Sequence, residues 1–149
     1  MTGKEWCVEF YADVAGNEPV KDWLDKLPQE RQAAAIAAIE EILATRGIDV
    51  CETEWGKHLG KGLYELRIRH PADEIRRMFS NQEEEDDPSS AGDQVLLRVY
   101  FTTDGEKVVL LLAGYDKGRY GSGRREDKAI EAARKRQADH RERRRRRRR

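Results

Sequence analysis

The chain has 149 residues, 38% apolar and 39% charged, which is the size of one domain or of one domain with a tail. Its formal net charge of zero averages two opposite parts: residues 1–116 carry 13 Lys and Arg against 24 Asp and Glu, while residues 117–149 carry 16 against 5. No apolar run nears the roughly 20 residues of a membrane span, "MTGKEWCVEF" lacks a signal-peptide pattern, and Cys7 and Cys51 form neither a disulfide framework nor a metal-ligand set, so the expectation is a reduced, cytoplasmic protein.

In chain order, "WCVEFY" (6–11) alternates and is rich in aromatic and branched residues, which predicts a first strand. Asn17 is a good N-cap with Pro19 in the first turn, and Val20, Trp23, Leu24 and Leu27 recur at helical spacing. Pro28 ends that helix and opens a longer one. There Ile36, Ile39 and Leu43 form a stripe with Ile42 beside it, and Gly47 marks the stop. The two helices are expected to pack as a hairpin. "IDVCETEWGKHLGKG" (48–62) reads as a loop carrying Lys57 and Lys61.

"GLYELRIRH" (62–70) is a strand whose alternation puts Tyr64, Leu66 and Ile68 on one face and Glu65, Arg67 and Arg69 on the other. In the stretch after it, residues 81–94 are an acidic run followed by Pro, Ser and Gly, the composition of a disordered insert. "VLLRVYF" (95–101) and "KVVLLLAGY" (107–115) flank "TTDGE", whose Asp-Gly predicts a hairpin. The second of these strands is continuously apolar and is expected to be central and covered on both faces. A basic, glycine-rich loop (116–125) leads into a basic helix with Ala129, Ile130 and Ala133 as a thin apolar stripe. Its seven terminal arginines are expected to be disordered or a frayed end. Residues 1–138 then form the domain and 139–149 an arginine-rich tail.

The order β-α-α-β-β-β-α predicts an α+β fold: a helical hairpin on a small curved antiparallel sheet, with the opposite face shallow and open. If Leu97, Val99 and Phe101 meet the helices, Arg98 and Tyr100 share the open face with Glu65, Arg67 and Arg69. Three guanidiniums and a tyrosine on a concave sheet suit a phosphodiester, since Arg binds phosphate in a fork and Tyr stacks on bases. Lys57, Lys61, Tyr115, Lys117 and Arg119 are expected at the rim. The plainer possibility is a solvated face on which Glu65 pairs with Arg67 or Arg98 across strands. A one-residue slip in register would exchange the faces altogether.

"YELR", "VLLRVYFTTDGEKVVLLLAGYDKG" and the basic "AIEAARKR" helix together resemble the RelE/HigB-type toxins of bacterial toxin–antitoxin systems, the phage-derived HigB-like branch above all. The resemblance spans about residues 5–138 and leaves out the acidic insert and the arginine tail. It implies a small endoribonuclease that cuts mRNA, usually on the ribosome, and is silenced by a cognate antitoxin, here expected to be a helix-turn-helix protein. It implies no metal and no cofactor: a ribose 2′-OH attacks the adjacent phosphate, giving a 2′,3′-cyclic phosphate and a free 5′-OH. Arg67 and Arg98 match positions that stabilise the phosphate, and Lys117 and Tyr115 match the end of the last strand, where these toxins carry a catalytic or substrate-holding side chain. Arg69, Tyr100, Lys57, Lys61 and Arg119 are the expected RNA contacts.

"GYDKG" lacks the histidine that several HigB-type enzymes carry there. His58 is one substitute. Glu65, a lysine of depressed pKa, or groups of the ribosome are the other candidates for the base, and the sequence leaves the choice open. Two other functions fit the chain: a gyrase-poisoning toxin of the ParE type, and a non-catalytic nucleic-acid-binding protein acting through its basic tail.

Overall fold

A computed structural model describes residues 5–79 and 95–147. The predicted insert (81–94) lies outside the described residues. Strand β1 (Cys7–Phe10) leads into α1 (Pro19–Lys26) and α2 (Gln29–Ala38). A π-helical turn (Ile39–Leu43) carries α2 into α3 (Ala44–Arg46), and a 3₁₀ helix (Gly47–Glu52) follows. Strands β2 (Gly56–Gly60) and β3 (Leu63–Ile68) form a hairpin, α4 (Ala72–Phe79) leaves it, and β4 (Leu97–Thr103) and β5 (Val108–Asp116) form the next. Two helices close the chain, the short α5 (Lys117–Tyr120) and the long α6 (Arg124–Arg147).

The fold is α+β, and the five strands are ordered β1-β5-β4-β3-β2. The sheet is mixed rather than antiparallel, because β1 runs parallel to β5. That pairing joins residues about a hundred apart, so local turn chemistry does not signal it. β2 and α4 fall in stretches where the sequence signals no element. β2 is an edge strand of Gly, Lys, His and Leu with too little branched or aromatic character to read as one.

On one face of the sheet, Leu66, Ile68, Leu97, Val99, Phe101, Val109 and Leu111 meet α1 and α2 in the main core. The face α2 buries is mostly alanine: Ala34, Ala35, Ala37 and Ala38 are all fully buried. Positions four apart, 34–38–42 and 35–39–43, stay aligned through the wider π turn, which leaves the predicted stripe residue Ile36 exposed. Gly47 does end the helix, at positive φ. Asn17 caps a turn rather than α1: its backbone N–H and side-chain amide both donate to Asp13, and Glu18 occupies the N-cap position. The Asp-Gly hairpin forms as predicted, with Gly105 at φ 65° and Asp104 N–H donating to the Val108 carbonyl.

The other face is not open. α6 lies across it, and Leu63, Tyr100, Leu110, Leu112, Ala113, Tyr115 and Ala133 make a second core with Ala129 and Ile130 at its edge. So β5 is covered on both sides, as its apolar run predicts. The stripe of α6 is too thin to hold it by apolar area alone, and its basic side chains supply the rest. Arg134 donates to the Leu59 and Gly60 carbonyls, and Arg136 donates to that of Leu112. Buried Gln137 donates to the Lys61 carbonyl and the Thr102 hydroxyl. Arg143 reaches the Ala12 carbonyl and the carboxylate of Asp139, which in turn accepts from the Tyr11 hydroxyl at 2.5 Å. His140 and Arg144 both pair with Asp104 in the β4–β5 turn.

The described part of the arginine run, through Arg147, is therefore helical, residues 148–149 lie outside the described residues, and α6 passes residues 138 and 139 without interruption. Its guanidiniums satisfy rim carbonyls and, in Asp104, a carboxylate of the acidic body, which is where the opposed charges of the two parts meet among the described residues. Deleting residues 139–149 removes the Tyr11, Ala12 and Asp104 contacts together. The expected cost is about 2–4 kcal/mol at the usual worth of a few charged hydrogen bonds, read as a lower urea midpoint. An unchanged midpoint would show that this end of α6 holds nothing. Gly114 faces the Trp23 ring so closely that an added Cβ would overlap it. Gly114→Ala is expected to lose about 1–3 kcal/mol by overpacking, measured in the same titration.

Candidate functional site

The register of the sheet decides what meets on the α6 side. Arg67 of β3 lies opposite Arg98 of β4, which lies opposite Tyr115 of β5. One step along the same face, Lys57, Glu65, Tyr100 and Ala113 form the neighbouring row. Two guanidiniums directly opposed across a ladder repel each other. Glu65 offsets this. Its Oε2 accepts from Arg67 Nε at 3.0 Å, and its Oε1 lies 3.7 Å from Arg98 Nε.

Glu65 is 5% exposed and Arg98 4%, while the Arg67 side chain keeps 27% of its surface. Burial pulls the Arg98 pKa below its ordinary value, and the Glu65 carboxylate opposes that pull. Arg98 also donates to the Leu97 carbonyl at 3.2 Å. Arg67 is thus the member of the pair that keeps exposed surface, and Arg98 lies buried opposite it.

The end of β5 adds a third cation. Asp116 is buried on the helix side, paired with Arg31 of α2 at 3.1 Å, and it caps α5 by accepting from the Arg119 backbone. That anchor sets the turn from which Lys117 emerges, and Lys117 Nζ stands 3.4 Å from Glu126 in the first turn of α6. Arg69, one residue past the end of β3, is exposed.

Several residues expected at the site are placed otherwise. Tyr100 is fully buried beneath α6, so in this arrangement it has no ring face for a base. Burial, with the Glu65 and Glu126 carboxylates nearby, holds its phenol well above the ordinary value, and its hydroxyl has no hydrogen-bond partner among the described residues. Tyr115 is 5% exposed, and its hydroxyl is committed to the Gly121 carbonyl. Lys57 is exposed and pairs in register with Glu65, at the β2 edge of the cluster. Lys61 sits in the β2–β3 turn at the other end of β3, where its carbonyl serves Gln137 and Arg141. Arg119 lies over the ring of Tyr120 at 5.2 Å, beside the cluster rather than in it. His58 packs edge-on against Tyr64, whose ring belongs to the helix-side core, so it does not reach Glu65.

The sequence reading passes over Glu126 and the surroundings of Arg67. Beside Arg67 a half-open cleft of about 280 Å³ is lined by Glu54, Trp55, Arg67, Arg69 and His70. No spacing rule joins residues 54–55 to 67–70. The hairpin does, through the Arg67 N–H donating to the Trp55 carbonyl at 2.8 Å.

Residues 22–86 match a family model described as "Phage derived protein Gp49-like (DUF891)". The match begins within α1, takes in Glu65, Arg67 and Arg69, and stops short of Arg98 and Lys117. No curated protein and no solved structure matches the chain.

The geometry makes Glu65 the member whose loss costs most. Glu65→Gln leaves the buried Arg98 guanidinium without its counter-charge, an expected loss of about 3–5 kcal/mol. Arg67→Gln leaves the Glu65–Arg98 pair intact and is expected to cost about 1 kcal/mol or less. Urea unfolding of the two variants reads the difference, and equal costs would remove Glu65 from the centre of the cluster.

Proposed function

We propose that the protein is the toxin of a toxin–antitoxin pair, an endoribonuclease that cleaves mRNA on the ribosome by attack of a 2′-OH on its own phosphate. The observation that carries this reading is the cation set itself: Arg67 opposed to Arg98 about one carboxylate, with Lys117 at the end of the next strand but one. Such a set suits the extra charge on a pentacoordinate phosphate, because fixed donors in a partly buried site act through a lower dielectric than water. The match to a Gp49-like family, one associated with RelE-like toxins, supports a toxin-like role. A cognate antitoxin is the partner expected with it.

In this mechanism Arg67 binds a non-bridging oxygen directly and Arg98 reinforces it from below. Lys117 exchanges Glu126 for the substrate phosphate. The same exchange frees the Glu126 carboxylate, whose one ion-pair partner among the described residues is Lys117. Glu65 is held by two guanidiniums, so Glu126 is the better acceptor for the 2′ proton; as the P–O2′ bond forms the P–O5′ bond breaks, and the 5′ oxygen takes a proton from water and leaves as a 5′-OH.

The test is induced expression in a bacterial host with mRNA 5′ ends mapped, comparing wild type with Arg67→Gln, Lys117→Gln and Glu126→Gln, each checked for folding. Growth arrest with new ends inside translated messages is expected, with cleavage falling about 10²-fold or more in Glu126→Gln. Arrest without new ends would move the reading to a gyrase-poisoning toxin. Arrest and cleavage that survive in all three variants would remove these side chains from the chemistry.

A further inference from the structure

The cleft beside Arg67 has no role in phosphate binding alone. Its 280 Å³ is below the range of sites that enclose a whole drug-sized ligand and suits a fragment the size of one base. Its aromatic wall is rigid. His70 leans against Trp55 with ring centroids 5.3 Å apart and planes tilted by 41°, Trp55 packs edge-on against Phe79 at 5.7 Å, and His70 Nδ1 is paired with Glu74 at 2.8 Å. Trp55 is 8% exposed, so His70 is the ring surface an incoming group meets first.

Opposite charges line the same cleft without pairing. Glu54 and Arg69 are both exposed, and neither forms an ion pair among the described residues. Arg67, the third charged wall, keeps only its Nε on Glu65. Arg67 therefore belongs to the cleft and to the cation row at once, which puts the two side by side.

We propose that this cleft is the base site of the RNA chain whose phosphate lies on Arg67, and that it selects guanine. The proposal rests on the nuclease reading for the identity of the chain and on the cleft's own donors and acceptors for the base. An ionised carboxylate only accepts and a guanidinium only donates. Guanine presents two adjacent donors, N1–H and the exocyclic N2–H, to a carboxylate such as Glu54. On its other edge O6 and N7 are two acceptors matched to an arginine fork such as Arg69. Adenine and cytosine offer a carboxylate one amine, and uracil offers one ring N–H.

Two readouts separate this proposal from the one beneath it. The first uses the full-length protein and 5′-GMP, 5′-AMP, 5′-CMP and 5′-UMP as probes, following the imidazole resonances of its three histidines. GMP is expected to shift His70 and leave His58 and His140 unmoved, binding about tenfold or more tighter than each of the other three nucleotides, AMP included; Glu54→Gln should remove that preference. The second is the distribution of mapped cuts, expected to cluster beside G in wild type and to spread in Glu54→Gln.

GMP that shifts His70 no more than UMP does, or a GMP preference intact in Glu54→Gln, would overturn the guanine site even if messages are still cut. GMP selection at His70 in a protein that cuts nothing would keep the base site and remove the nuclease reading. His70→Gln is a second variant at a partly exposed position, and undiminished GMP binding in it would also overturn the site.

Discussion

One carboxylate makes the rest of the polar face possible. The pleat that sends Leu66 and Val99 into the main core sends Arg67 and Arg98 to the other side, directly opposite one another. Nothing in the core tolerates a different register, because a slip by one residue would bury the arginines among the helices. The repulsion between the two guanidiniums is thus built into the packing, and Glu65 makes it bearable by taking one arginine on each oxygen. Removing either arginine leaves a pair, whereas removing Glu65 leaves two like charges with one of them buried. The same arrangement holds Arg67 by its Nε, so that the guanidinium is oriented while the side chain keeps part of its surface.

α6 answers the question of why a chain of zero net charge is built from an acidic part and a basic one. A helix with so thin an apolar stripe cannot dock by buried area alone, and this one docks by donating. Its guanidiniums reach carbonyls at the β2 end, in β5 and after β1, and they pair with Asp104 and Asp139. Backbone carbonyls at a sheet rim need partners once a helix covers them, and arginine meets that need while keeping part of its charge at the surface.

What could be read from the sequence follows from how local each signal is. The faces of β3 and β4 are legible because alternation is a property of neighbours, and the Asp-Gly hairpin because its turn chemistry lies in two residues. Arg67 and Arg98 are placed on one face by that alternation alone. Burial of Arg98 and Tyr100 is not legible, since it depends on α6, whose anchors join residues as far apart as Ala12 and Arg143. β1 on β5 fails for the same reason: a parallel pair carries no turn to announce it. The helical state of the arginine run is in part a tertiary effect too: composition alone favours a repelling, solvated end, and contacts of Arg143 and Arg144 with Ala12 and Asp104 oppose that, together with local pairs of Arg145 and Arg146 with Glu142.

Coverage by α6 also narrows the site. By burying Tyr100 and tying the Tyr115 hydroxyl to Gly121, it removes both tyrosines from the exposed surface of this face. By beginning where it does, it brings Glu126 to Lys117 and leaves Arg67, Arg69 and the cleft at Trp55 and His70 beyond its end. The chemistry available on this face is therefore set less by which cations the strands offer than by where one helix starts. A helix starting a turn earlier would extend over more of the cation row, and one starting a turn later would give Lys117 no carboxylate, so the residues of the 121–123 loop fix the site as firmly as the strands do.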